Sequence, residues 1–277
     1  MYGMKRSLIL VISISLFILS PAKSISAETI NCWFPPSWSS KVEKAEEISR
    51  ALSSRSGLEI SPRIAKSYPE ILTAFSTEDK NLVYVGSFVQ AIIKARGLGS
   101  ALVQSVNGKE LYCGVLVYPE GKDPEAILKN TPSKISFAIG ASSGESTAKA
   151  ATGGKAAIGT SSHHAALKAV AAGGAEAAVV KNWWWEINKG KFPGMTSYNI
   201  VGCSKNGNPD NVLTASKSFN KAEKEAIISA AMQSRNEFGA ASMRLFHEDT
   251  LMFSLWLMKK GGIDPLKYDW YMGGKIY

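Results

Sequence analysis

Cysteine and histidine are both scarce in this chain, with three of each among 277 residues. Cys32, Cys113 and Cys203 stand far apart, with no C-x-x-C pair and no zinc-ligand spacing. A disulfide-built mini-domain is therefore excluded, and neither a metal nor a cofactor is implied. The chain has no H-E-x-x-H and no paired-carboxylate motif, so the sequence points away from an enzyme. It also lacks internal repeats, low-complexity linkers, arginine-rich runs and the aromatic-basic motif of a nucleic-acid module. Nucleic acid is thus not an expected partner. The basic excess, 32 Lys and Arg against 23 Asp and Glu, is spread along the chain and suits an anionic small molecule.

One apolar run stands at the N-terminus. In "MKRSLILVISISLFILSPAKSISA", Lys5 and Arg6 precede an apolar stretch from Leu8 to Leu19, and Ala27 offers a cleavage point. This is the pattern of a secretory signal peptide over residues 1–27. The stretch is short against the roughly 20 residues that a membrane span needs. Cleavage would remove Lys5, Arg6 and Lys23 and no acidic residue, lowering the formal charge from +9 to +6. A periplasmic protein, soluble and monomeric, is expected.

Beyond residue 27, short apolar strands alternate with helical stretches. "ETINCWF", "LEISPRIA" and "KNLVYVGS" read as strands, each followed by a helical segment. The order restarts near residue 122 with "DPEAILKNTP", "SKISFAIGA", a helix after "IGTSSHH", and the strand "AEAAVV". The chain from "NKAEKEAIISAAMQSRNEFGAASMRLF" onward reads as helical. Such alternation predicts an α/β fold of parallel sheets with helices on both faces. Two lobes joined by crossing strands fit better than one sheet. Residues 28–111 and 212–277 would form one lobe, and residues 112–211 the other.

In open α/β sheets, ligands sit outside the carboxyl ends of the strands. Four strand-to-helix junctions there are rich in small and hydroxyl residues: "FPPSWSSK", "VYVGSF", "IGASSGESTAK" and "IGTSSHHAA". Hydroxyls beside unpaired helix N–H groups make an anion cradle. Alternatively Ser142, Ser146 and Ser161 are only helix caps. His163 and His164 are neighbours, which on a helix do not share a face, so they are not joint metal ligands.

"LVYVGSFVQAIIKARG", "SFAIGASSGES" and "GTSSHHAALKAVAAGGAEAAVV" resemble the phosphate/phosphite/phosphonate-binding proteins of ABC importers, periplasmic binding proteins of the second structural type. "CSKNGNPDN" is similar to that family's return strand, and the resemblance runs from about residue 28 to 245. It implies a two-lobe fold with a ligand cleft, a small oxyanion as ligand, and a membrane permease as partner. It places Ser142, Ser143, Ser146 and Thr147, then Ser162 and His163, on the oxyanion, with Gly86 and Ser87 at the first-lobe turn. Tyr84 and Ser39 stand beside it on the first lobe. Glu145 is foreign to an anion cradle; it would accept from a protonated oxyanion, bind a ligand amine, or serve as a helix-start carboxylate. Where the family often has an acidic residue after the last strand, Lys181 and Asn182 stand here, which disfavours an aminophosphonate.

"AAVVKNWWWEINKG" puts Trp183, Trp184 and Trp185 directly after that strand. Consecutive side chains cannot share one face, so at most one or two wall a ligand and at least one packs inward. Trp183 beside Asn182 is the expected cleft wall. Cys113 and Cys203 lie on the outgoing and returning crossing segments; they pair if those segments run side by side, or remain separate buried thiols. The same fold would also serve as a sensing module for a membrane receptor kinase, or hold a different small molecule against an aromatic wall.

Overall fold

The computed structural model describes residues 29–270, and the signal peptide expected over residues 1–27 lies outside them. The chain opens with β1 (Ile30–Phe34), α1 (Val42–Ser56), β2 (Ile60–Ile64), α2 (Tyr68–Phe75), β3 (Asn81–Val85), α3 (Ser87–Ala95) and β4 (Gly99–Val106). After the short strand β5 (Leu111–Tyr112) come β6 (Gly114–Pro119), α4 (Pro124–Asn130) and β7 (Ile135–Ala138). A π-helical turn, Ser142–Ser146, leads into α5 (Thr147–Ala151), then β8 (Ile158–Thr160), α6 (His163–Ala171), β9 (Ala177–Lys181), α7 (Asn182–Asn188) and β10 (Met195–Tyr198). The chain returns through β11 (Asn208–Pro209) to β12 (Val212–Ser216), α8 (Lys221–Gln233), β13 (Ser242–Leu245) and α9 (Met252–Lys260).

Local chemistry sets several of these boundaries. Ser67 caps α2 by accepting from the Glu70 N–H, and Asp123 caps α4 from Glu125 and Ala126. Asn220 and Glu223 form a reciprocal capping box at α8. Gly57, with φ +74°, ends α1 in the left-handed conformation that glycine adopts without strain.

Two sheets result. One has the order β13-β4-β12-β3-β1-β2, the other β10-β6-β9-β7-β8. β5 and β11 form an antiparallel pair between them, with Tyr112 opposite Asn208 and Leu111 opposite Pro209. These are the two crossings between lobes. The sheets are mixed rather than parallel: β1, β2 and β3 run parallel, as do β7, β8 and β9, while β12 pairs antiparallel with β3 and β4, β13 with β4, and β6 with β9 and β10. β12 and β6, each laid down as the chain crosses into a lobe, run against the parallel set.

Each sheet is buried on both faces, as the alternation along one strand shows. Leu82 and Tyr84 of β3 enter one core cluster, Val83 and Val85 the other. In the second lobe Ala177 and Val179 of β9 face one cluster, Ala178 and Val180 the other.

One sequence expectation is corrected. The chain around "SMRL" is not helical but forms β13, antiparallel to β4. Gly239, at φ +63°, breaks the helical run, and an edge strand this short carries no distinguishing periodicity. α9 packs against both lobes, with Met258 in a first-lobe cluster and Leu257 in a second-lobe cluster. Of the two readings left open for Cys113 and Cys203, the structure has the separate one: both are free, buried thiols in clusters on opposite faces of the second sheet. The crossing register sets Tyr112 against Asn208, so Cys203 falls well short of the pairing position.

Candidate ligand-binding cleft

A cavity of about 80 Å3 opens between the lobes beside the crossing strands. On this scale one water needs roughly 10–15 Å3, so the space suits a ligand of few heavy atoms. Its walls differ in chemistry.

The first-lobe wall is aromatic. Trp38, Tyr68 and Tyr84 face the cavity, and the Trp38 ring centroid lies 5.7 Å from that of Tyr84. The Tyr84 hydroxyl is turned back into the lobe, where it bonds Ser105. Gly86 is the N-cap of α3 and supplies no side-chain cap, so the first α3 N–H groups stay open toward the cleft. A Cβ at Gly86 would lie 2.8 Å from Tyr112 Oη and 3.0 Å from Asp210 Oδ1, so glycine permits their close approach. Ser87 Oγ donates to Ser142 Oγ at 2.8 Å and lies 3.2 Å from Tyr112 Oη. The first of these bonds ties one lobe to the other.

The second-lobe wall carries hydroxyls. Gly140, at φ +76°, turns the chain after β7, with Tyr68 so close that a Cβ would meet its Cβ at 2.6 Å. Ser142 and Ser143 begin the π-turn, where N–H groups have no partner within the helix. Both are buried and line the cavity. Ser143 Oγ lies 3.4 Å from His163 Nε2. His163 is buried, and its Nδ1 has no partner among the described residues. Burial, with a smaller contribution from the Lys181 charge, lowers its pKa to about 3. The ring is therefore neutral at physiological pH, and its N–H can donate one hydrogen bond to an oxyanion.

Several expected residues lie outside the cavity wall. Glu145 points away from it, accepting from the Gly140 N–H at 2.8 Å, the Tyr268 hydroxyl at 2.7 Å and the Lys149 ammonium at 2.9 Å. It braces the loop from behind. Thr147 Oγ1 donates to the Ser142 carbonyl at 2.7 Å, and Ser146 is buried alongside. Ser162 caps α6 by accepting from the Ala165 N–H. Ser39 and Ser162 line a wider outer depression of about 360 Å3 that shares Ser37, Tyr68, His163 and Trp184 with the inner cavity. Asn182 is a hinge clamp: its Oδ1 accepts from the Cys113 N–H, and its Nδ2 donates to Asn206 Oδ1.

The tryptophans open a helix and fan out. Trp185 is buried in the second-lobe core. Trp183 turns to the hinge, donating to the Leu111 carbonyl at 3.1 Å with Lys109 over its ring. Trp184, not Trp183, lines the cleft, its ring centroid 5.9 Å from that of His163. A helical 100° step per residue, not the extended alternation, decides this.

Sequence reasoning placed Lys181 at the cleft but missed Tyr68, Tyr112, Trp184 and Asp210 as cavity residues. Lys181 ends β9 and is ion-paired to Asp210, with its ammonium 4.3 Å from the Tyr112 ring centroid. Asn211, with φ 59°, is the one non-glycine residue in the left-handed region among the described residues, and it follows Asp210 directly. The Pro-Asp-Asn turn marked this spot in the sequence, but its partner across the lobes was not visible there. Among the described residues, no group of three or more His, Cys, Asp or Glu could hold a metal ion. No described helix is long and apolar enough to cross a membrane.

Residues 34–271 match the family described as ABC transporter, phosphonate, periplasmic substrate-binding protein. No curated protein sequence matches the chain. Among solved structures, PhnD1 of Prochlorococcus marinus in complex with methylphosphonate superposes with a TM-score of 0.63 at 15% identity, over 84% of this chain and 98% of that one. A binding-protein component of an ABC phosphonate transporter from Pseudomonas aeruginosa gives 0.63 at 14% identity, over 84% and 88%. A Xanthomonas citri protein bound to ATP also gives 0.63, at 10% identity, over 85% and 97%. These likenesses establish the two-lobe fold, and the family is one of capture and delivery, not of catalysis. With its match running through both lobes and the cleft, the chain belongs to the periplasmic substrate-binding proteins of phosphonate ABC transporters.

Proposed function

We propose that this protein captures a small phosphorus oxyanion, such as phosphite, phosphate or a simple phosphonate, in the cavity between its lobes. The observation that carries this reading is the convergence of Ser142, Ser143 and His163 with two uncapped helix starts on one small cavity. Hydroxyls, backbone N–H groups and a neutral imidazole offer donors without introducing a surplus of buried charge. Ser142, Ser143 and His163 hold the oxygens, Gly86 and Ser87 close the first lobe over them, and Trp184 covers the mouth. Residues 28–111 with most of residues 212–270 move as one lobe and residues 112–211 as the other. The chain acts as a monomer, reaches the periplasm after loss of residues 1–27, and presents its closed form to the permease.

The test is a thermal-shift and calorimetry panel of phosphate, phosphite, methylphosphonate and sulfate. A ligand at 100 times its Kd stabilises the folded state by about 2.7 kcal/mol, a shift of several degrees for a chain of this size. At least one phosphorus oxyanion is expected to give that shift. No shift with any of them at millimolar concentration would reject the reading.

A further inference from the structure

Two charged side chains face the cavity, and they face each other. Lys181 and Asp210 are ion-paired there. Among the described residues that line the cavity, Asp210 is the one carboxylate and Lys181 the one lysine. Neither is free to drift. Lys181 ends a strand whose backbone is paired to β6, and its ammonium stacks on the Tyr112 ring. Asp210 is held by its own backbone: its N–H donates to the Glu110 carbonyl at 2.9 Å, and its carbonyl accepts from Gln104 at 2.8 Å. Side-chain exposure of the pair is 22% and 19%, so solvent screens it only in part.

This arrangement constrains what a bound oxyanion can carry. A ligand with its own ammonium group would need a carboxylate in the cavity to balance that charge. The available one is already neutralised, and the incoming ammonium would lie beside a second fixed cation. A like-charge encounter in a partly desolvated cavity is a means of rejecting a ligand. A ligand with a hydrogen atom, a hydroxyl or a short alkyl group in that place meets no such penalty.

We propose that Lys181, by occupying Asp210, is the specificity-determining residue of the cleft and restricts its ligands to compact oxyanions that bear no cationic group. The proposal rests on the oxyanion reading above. A purely structural ion pair at the hinge would change stability when broken, yet leave the ratio of affinities for charged and uncharged ligands unchanged.

Ethylphosphonate and aminomethylphosphonate have the same number of heavy atoms and differ by one ammonium group, so they separate charge from size. Calorimetric titration of the wild type at pH 7 should favour ethylphosphonate by about 100-fold. Lys181→Ala and Lys181→Met, each checked for folding by its melting transition, should narrow that ratio by at least about tenfold. Adding Asp210→Asn to Lys181→Met should cancel the gain for the aminated ligand. Equal wild-type affinity for the two would overturn the proposal, and that comparison needs no variant to fold. So would an unchanged ratio in folded lysine variants. If methylphosphonate binds while both larger ligands fail equally, size sets the limit and the proposal falls with the oxyanion reading intact. If no phosphorus oxyanion binds at all, the oxyanion reading fails and this inference with it.

Discussion

The two walls of the cleft differ in what they offer a ligand. The first-lobe wall presents Trp38, Tyr68 and Tyr84, with the Tyr84 hydroxyl spent on Ser105 inside the lobe. It offers flat aromatic surface beside the open N–H groups of the α3 start at Gly86. The second-lobe wall presents Ser142, Ser143 and His163 on helix starts, braced from behind by Glu145 and Thr147. It offers directed donors. Residues that never meet the ligand also take part: Glu145 spends all its bonds on holding the loop that carries the two serines.

The sharpest way to break this comparison is to strip each wall in turn. Ser142→Ala combined with Ser143→Ala should weaken methylphosphonate binding by at least about 100-fold, since hydrogen bonds to charged groups are worth about 1.5–3 kcal/mol each. Trp38→Leu on the opposite wall should cost about tenfold or less. Calorimetry on both variants decides, and the reverse order would show that apolar packing dominates. A smaller contrast lies within the tryptophan block. Trp184→Phe should reduce the change in tryptophan emission that ligand produces, with Trp38 supplying the remainder, while Trp183→Phe should leave it in place. Loss of the signal from Trp183→Phe alone would return the cleft wall to the hinge-side ring.

The smallest effect concerns the imidazole. His163 has its folded pKa depressed to about 3, below the ordinary histidine value, by burial and the nearby Lys181 charge. The unfolded chain therefore binds a proton at this residue more readily than the folded one. Stability from this source is fully present above the unfolded pKa of about 6.5 and is lost as pH falls toward 3, with a slope of up to about 1.4 kcal/mol per pH unit. Denaturant titrations between pH 7 and pH 5 should show this decline in the wild type and a flatter one in His163→Gln. Identical slopes would mean that the folded state protonates His163 as readily as the unfolded chain does.

Much of the architecture could be read from residue order. Ser67, Asp123 and Gly57 mark helix ends by chemistry that acts within a few residues. The restart of strand-helix order near residue 122 announced a second sheet. β13 and the antiparallel sense of β12 could not be read in the same way, because pairing with β4 joins segments more than 100 residues apart. For the site, the hydroxyl-rich junctions were visible as loops, yet the direction of each side chain was not. Ser142 and Glu145 differ by three positions; one faces the cavity, and the other turns away from it to Lys149 and Tyr268.

Local pattern alone was enough for the alternating α/β order, the anion-suited junctions and the likeness to a transport family, since each depends on neighbours along the chain. The cavity itself was decided by tertiary structure. Ser87 meets Ser142, and Lys181 meets Asp210, only when two sheets dock across the β5 and β11 crossings. Contacts of that kind depend on how the lobes close, a property of the packed whole to which no single stretch of residues is coupled strongly enough to reveal it.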